Sequence, residues 1–265
     1  MFGFFSSKPM LSNENIEFQI ATYQWLLKNF GDTDFYEDTK LVLPTRDYFP
    51  SKVQSEDEAA AETFRAVKKY AGMEAWACKL EKQEPDVESR VAATLVVENV
   101  PDTPLGTFEA KENNEIVITY NPSLTANPTQ LVATFAHELA HYLTGSCSEA
   151  PPGGWDNWEF ATDIAATFLG FGVFMANAAC NFQQFTDVDS QGWEYGHNGY
   201  LSESEHVYAL VIFLQLKKIT IESASLHLKP NLKKLLRKAE KEITKTELVK
   251  SLLLVKYEPA QTPTL

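Results

Sequence analysis

The chain of 265 residues has few cysteines, no basic residue through its middle, and no N-terminal targeting pattern. Its three cysteines (Cys78, Cys147 and Cys180) are too few for a disulfide framework or a cysteine-rich metal site. The opening MFGFF is shorter than the apolar core of a secretory signal, and no basic residue precedes it. We therefore expect a reduced, cytoplasmic protein, with export by a route that leaves no cleavable signal as the alternative.

Basic residues are absent from a long central stretch. No Lys or Arg lies between Lys111 and Lys217, where twelve residues are Asp or Glu. The net charge of −13 argues against nucleic acid and anionic membrane surfaces as partners. A stretch without basic residues suits a site that holds a cation, although an ordinary acidic surface is the commoner reason. The segment 229–250 has eight basic and three acidic residues, and its leucine spacing predicts an amphipathic surface helix.

Hydrophobic periodicity divides the chain into an α+β front half and a helical back half. Predicted helices in the front half span 13–30 and 55–73, and strand-like runs span 41–45, 76–80, 91–98, 105–110 and 115–120. Later helices are predicted over 128–144, 156–179, 203–218 and parts of 230–255. We expect one unit over 1–265, with a small mixed sheet and helices in 1–126, helices in 127–265, and a cleft between the halves.

Two of the five histidines belong to the segment His137-Glu138-Leu139-Ala140-His141, an H-E-x-x-H motif. Histidines four apart on a helix share one face, so both can bind one metal ion through neutral imidazole nitrogens. The apolar side chains of residues 131–143 fall on the opposite face. The helix is therefore expected to pack that face into the core and present His137 and His141 to a metal ion. The alternative is a pair of structural histidines with a solvated Glu138.

The next predicted helix offers a further ligand. A zinc site with two histidine ligands needs a third protein ligand and an open position for water. Glu159, Asp163, Ala166 and Gly170 share one stripe of this helix, with two carboxylates followed by two small residues. The small residues would let the two helices approach closely. Glu159 is the candidate third ligand, and Asp163, one turn later, is placed to accept a hydrogen bond from a ligating histidine.

Together these motifs resemble the gluzincin metallopeptidases, the group that contains thermolysin, in which H-E-x-x-H is followed by a helix with E-x-x-x-D. His137, Glu138 and His141 match the first motif, and Glu159 with Asp163 matches the second. The resemblance implies a zincin-like fold and one Zn²⁺ ion held by the two histidines and Glu159. It also implies a peptide or protein substrate that is hydrolysed with Glu138 as the general base.

The same resemblance, which covers roughly residues 115–180, implies an edge strand for the substrate and a donor for the oxyanion. An extended peptide adds to such a strand. The candidate edge strand comprises Ile116, Val117, Ile118, Thr119 and Tyr120. His197 is the candidate oxyanion donor, chosen from four residues of one segment: Tyr195, His197, Tyr200 and His206.

Other classes of protein remain open. A catalytically silent zinc protein would keep the same ligands, and a metal-free interaction module would keep only the helices. The apolar run Phe160–Ala179 has the length of a membrane span, but it contains Asp163 and lacks flanking Lys or Arg, so no span is expected. Cys147 is expected to be a small buried hydrophobe rather than a ligand or redox switch.

Overall fold

The computed structural model describes residues 9–49, 54–84, 104–111, 113, 115–185 and 200–258, with the backbone alone for 180–185. These parts are mainly helical and include a three-stranded mixed sheet, so the predicted α+β class is confirmed for them. The helices are α1 (Asn13–Phe30), α2 (Thr33–Glu37), α3 (Glu56–Tyr70), α4 (Pro128–Gly145), α5 (Trp158–Ala166), α6 (Gly172–Phe185), α7 (Glu203–Leu216), α8 (Ile221–Ser225), α9 (Pro230–Ile243) and α10 (Leu248–Leu252). The strands are β1 (Lys79–Lys82), β2 (Gly106–Ala110) and β3 (Ile116–Tyr120).

Side-chain caps mark the starts of two helices. The Ser55 hydroxyl accepts a hydrogen bond from the Glu58 N–H at 3.2 Å, which satisfies a free donor of the first turn of α3. The Asn127 side chain caps α4 in the same way, and Pro128 occupies the first turn, where a missing N–H costs no hydrogen bond. The boundaries of the motif-bearing helix α4 are therefore fixed by local sequence.

One of the predicted strands does not form, and another is not tested. The run 41–45 forms no strand; the Val42 N–H instead donates to the Gly170 carbonyl at 2.9 Å, because this segment lies against a helix rather than a sheet. The predicted strand at 91–98 lies outside the described residues. The runs at 105–110 and 115–120 are confirmed as strands, and the run at 76–80 overlaps the start of β1.

The sheet has the order β1-β3-β2, so β3 is its central strand. It pairs in parallel with β1 and in antiparallel with β2. The prediction that Ile116–Tyr120 is an edge strand is therefore wrong. Val117 and Ile118 are buried, as expected of an apolar strand with neighbours on both sides.

The predicted helix over 156–179 is interrupted midway. α5 ends at Ala166, a wide π-helical turn spans Thr167–Phe171, and α6 follows. Gly170 has φ +101°, in the region that favours glycine, and a Cβ there would collide with the Lys40 carbonyl oxygen. The expectation that Gly170 brings two helices together is wrong, because this glycine breaks the helix and admits the segment around Lys40.

The run Trp155–Ala179 is apolar and long enough to cross a membrane. Inside the described chain, however, 89% of its apolar window is buried. Ile164, Phe168 and Phe171 from this run belong to the hydrophobic core. The run therefore packs as a core helix pair.

Helix α1 comes from the front half of the sequence but packs with the helices of the back half. The Tyr23 hydroxyl donates to the Ala209 carbonyl at 2.7 Å. The Asn15 amide donates to the Glu205 carboxylate at 2.6 Å. The helical part of the fold thus includes a segment far away in sequence.

Candidate metal centre

Three side chains from α4 and α5 converge on one point. His137 Nε2 and His141 Nε2 are 3.0 Å apart, and each lies 3.2 Å from Glu159 Oε2. The two histidines are buried, whereas the Glu159 side chain is 45% exposed. All three predicted ligands are therefore brought together, with one side of the group open to solvent.

The outer nitrogens of the two imidazoles have their own partners. His137 Nδ1 lies 2.9 Å from Asp163 Oδ1, and since a carboxylate only accepts, the ring hydrogen is on Nδ1. His141 Nδ1 lies 3.2 Å from Thr162 Oγ1, which can accept in the same way. In its neutral form, each ring directs an Nε2 lone pair toward Glu159. This is the arrangement in which a neighbouring acceptor orients a histidine for a metal ion.

The donor set fits a metal ion, and its dimensions suit zinc. Tetrahedral zinc with bonds of about 2.0–2.1 Å keeps neighbouring ligand atoms about 3.3 Å apart. The triangle of ligand atoms has sides of 3.0, 3.2 and 3.2 Å. Two imidazoles with one carboxylate, open on one side, also form the ligand set of catalytic zinc sites.

Burial and hydrogen bonding have opposite effects on the pKa values of the residues in this cluster. Burial lowers the pKa of His137, but hydrogen bonds to Asp163 and Glu159 outweigh it and hold that pKa well above its usual value. Burial raises the pKa of Glu159, and its bonds to the two histidines outweigh this and lower it. The pKa of His141 is lowered, chiefly by burial. A metal ion entering the cluster therefore displaces a proton from His137.

Glu138 lies beside the triangle without belonging to it. Its carboxyl group is buried, and burial raises its pKa to about 7, with Glu159 adding to the effect and His137 opposing it. A Cβ on Gly106 would lie 3.0 Å from Glu138 Oε1. Glycine at this position thus lets β2 approach the carboxylate closely.

The edge strand next to the cluster is β2, not β3. The backbone hydrogen bonds between β2 and β3 are made by the odd-numbered residues of β2 and its flanks. The Lys111 N–H donates to the Glu115 carbonyl, and the Leu105 carbonyl accepts from the Asn121 N–H. The N–H and C=O groups of Gly106, Phe108 and Ala110 therefore point away from β3. Among the described residues these groups have no strand partner on that side. The substrate strand that the sequence placed at 116–120 is better sought at 106–110.

Aromatic rings flank the ligand His141 on two sides. The Trp158 ring lies 4.6 Å away, edge to face, and its N–H donates to the Thr144 hydroxyl at 2.8 Å. The Phe108 ring lies 6.3 Å away and is nearly parallel to the imidazole. These contacts limit the rotation of the imidazole ring.

The contact of Thr162 with His141 was not predicted, although the spacing of Thr162 from Glu159 indicates it. Glu159, Thr162 and Asp163 follow i, i+3, i+4, so all three share the face of α5 that meets α4. Asp163 was predicted correctly as the partner of His137. Its second oxygen accepts the Leu201 N–H at 2.9 Å.

The structure describes two of the four candidates for the oxyanion donor. His197 and Tyr195 lie outside the described residues. The Tyr200 ring lies 5.5 Å from the His137 ring, and burial raises its pKa, so its hydroxyl stays protonated. His206 is fully buried, and its Nε2 lies 3.6 Å from Asp163 Oδ2.

Cys147 is buried, as expected from the sequence. Burial raises the pKa of its thiol to about 12, and Glu149 adds to the effect. A thiol with so high a pKa is protonated at neutral pH and is a poor ligand or nucleophile.

The chain matches no protein-family model, no curated protein and no solved structure. The resemblance to gluzincins therefore depends on the residues of the two motifs alone, and the geometry of the site is a separate observation. That geometry combines three donors that can hold a divalent cation, a buried carboxylate beside them, and an adjacent strand edge.

Proposed function

We propose that the protein is a zinc-dependent peptidase of the gluzincin type, with one Zn²⁺ ion held by His137, His141 and Glu159. The observation that carries this proposal is the triangle of two imidazole nitrogens and one carboxylate oxygen, 3.0–3.2 Å apart. Helices that only pack against each other gain nothing from burying such a group. Zinc bound here would supply Lewis-acid polarisation of a carbonyl and an acidic bound water.

Glu138 is the proposed general base. It is adjacent to a ligand in sequence, stays outside the triangle of ligand atoms, and is shielded from bulk water. From this position it can accept a proton from water and pass it to the leaving amine.

The proposed substrate is an extended peptide or protein segment that adds to β2. The outward N–H and C=O groups of Gly106 and Phe108 are the donors and acceptors that such a chain would pair with. Phe108 also stacks near His141, and Gly106 abuts Glu138. A peptide paired with this edge therefore passes both the cluster and the base.

Hydrolysis of casein by the purified protein tests the proposal, with metal analysis of the same sample. We expect about one zinc ion per chain, cleavage that a chelator abolishes, and recovery when zinc is added back. Bound zinc without cleavage would identify a silent zinc protein. A chain that takes up no zinc after reconstitution contradicts the proposal and favours the interaction module.

We also propose that Tyr200, in place of His197, donates a hydrogen bond to the oxyanion. Tyr200→Phe removes the hydroxyl and keeps the ring against His137. Turnover of a peptide substrate should fall about 10²-fold, as when one oxyanion donor is removed. Zinc affinity should stay within about twofold, since no metal ligand changes.

The matched control is Tyr257→Phe, a half-exposed tyrosine beyond α10. Full activity in Tyr200→Phe would assign the donor to another residue, with His197→Ala as the next variant to measure. Loss of zinc in Tyr200→Phe would show that the tyrosine supports the ligands instead.

A further inference from the structure

His206 is a fully buried histidine on α7 that the proposed mechanism does not use. Neither ring nitrogen has a hydrogen-bond partner among the residues that the structure describes. Buried polar groups are nearly always paired, because leaving them unpaired destabilises the fold. His206 therefore requires an explanation other than packing.

The nearest charged group to His206 is the carboxylate that orients His137. His206 Nε2 lies 3.6 Å from Asp163 Oδ2, slightly longer than a hydrogen bond. Asp163 is itself fully buried, and its oxygens accept from His137 Nδ1 and from the Leu201 N–H, both at 2.9 Å. Burial lowers the pKa of His206, so the ring is neutral and has one N–H to donate.

We propose that His206 is a positioning residue of the metal centre. Its Nε2–H donates to Asp163 Oδ2 and thereby fixes the carboxylate that orients the His137 ring. This inference depends on the proposed binding of a metal ion at His137. A buried carboxylate stays charged and fixed only when several donors surround it. With His206 and Leu201 on one oxygen, the other oxygen is directed at the His137 ring and makes it a better ligand.

The proposal predicts a small change in folding stability and a larger fall in metal affinity. Replacing His206 with leucine removes the unpaired Nδ1 from the core but also takes a donor from the buried carboxylate of Asp163, and because these two effects oppose each other the stability of the metal-free protein should change little. The same change removes a donor from Asp163, so metal affinity should fall. A residue that served packing alone would lower both quantities.

The experiment compares His206→Leu with the wild type in two states. The melting temperature is measured in chelator, and the zinc dissociation constant by competition with a chromophoric chelator. We expect a melting temperature close to that of the wild type and a dissociation constant raised about 3–10-fold, less than the 10–100-fold expected for Asp163→Asn. The absorption bands of the cobalt-substituted protein should shift as well, because the orientation of His137 changes.

Rescue and control variants complete the test. His206→Gln keeps an N–H that can reach Asp163 and should restore affinity to within about twofold, well below the loss from removing a ligand's partner. The side chain of His206→Asn is too short to reach Asp163, so this variant should lose metal affinity as His206→Leu does, which covers a failure of the leucine variant to fold. His227→Leu, which removes a histidine between α8 and α9, should change neither quantity.

Three outcomes would overturn the inference. Wild-type zinc affinity in both His206→Leu and His206→Asn would exclude the positioning role and leave the proposed function standing. Parallel losses of stability and affinity that His206→Gln does not reverse would make His206 a packing residue. A wild-type protein without zinc would overturn the inference and the proposed function together.

Discussion

Glu138→Gln is expected to leave zinc bound and to slow peptide hydrolysis by roughly 10²–10⁴-fold. Glutamine keeps the shape of the side chain and its hydrogen bonding but cannot accept a proton. Zinc stays because Glu138 lies outside the triangle formed by the three ligand atoms. The measurement is kcat on one peptide, with zinc content determined on the same sample.

The matched control for this variant is Glu109→Gln, an exposed glutamate on β2 in the same part of the fold. It should retain wild-type turnover. If Glu138→Gln loses zinc together with activity, Glu138 is structural and its assignment as base is wrong. If turnover is unchanged, the proton acceptor is another group.

The same substitution should also alter how the stability of the metal-free protein depends on pH. Burial raises the pKa of Glu138 from 4.5 to about 7. Between these values the unfolded chain releases the Glu138 proton while the folded chain retains it, so the wild type loses stability as pH rises. Glutamine has no such proton. Denaturant midpoints across this window should therefore fall less steeply with pH in the variant.

Removal of one metal ligand is expected to abolish stoichiometric zinc. His141→Ala leaves two of the three donor atoms, and the loss should exceed the 10–100-fold effect of removing a ligand's hydrogen-bond partner. Glu159→Ala should do the same, since it removes the one carboxylate of the triangle. Zinc per chain after gel filtration, measured by atomic emission, checks both variants.

Glu149→Ala is the control for Glu159→Ala. Glu149 pairs with Lys28 at 2.9 Å and lies outside the ligand triangle, so zinc should be retained. If Glu159→Ala binds zinc like the wild type, a different carboxylate is the third ligand and the geometry of the site has been misassigned. Loss of zinc in Glu149→Ala alone would identify that carboxylate.

The ligand residues could be predicted because helix periodicity alone places them. Two histidines four apart must share a face of α4, and Glu159 and Asp163 must share a face of α5. The apolar stripe on the opposite face of α4 packs into the core, and this turns the histidine face of α4 toward α5. The same spacing contained Thr162, which could have been found by applying the i, i+3 rule to Glu159.

The strand order and the helix break could not be read from local pattern. β1 has the sequence KLEK, which shows no apolar run, yet it pairs with β3 and makes that strand central. The break at Gly170 depends on Lys40, which is far away in sequence. Such features are set by tertiary contacts, which override what a short window of sequence prefers.

The packing of α1 bears on whether the metal centre could be transplanted into another protein. A fragment that began at residue 127 would contain every proposed ligand but would leave Glu205 and the Ala209 carbonyl without the α1 groups that bond to them. It would also lack Val42, whose N–H is the partner of the carbonyl at the Gly170 break. Grafting the two ligand helices alone would therefore uncover core on both. The two motifs are short and local in sequence, but the fold around them depends on distant segments of the chain.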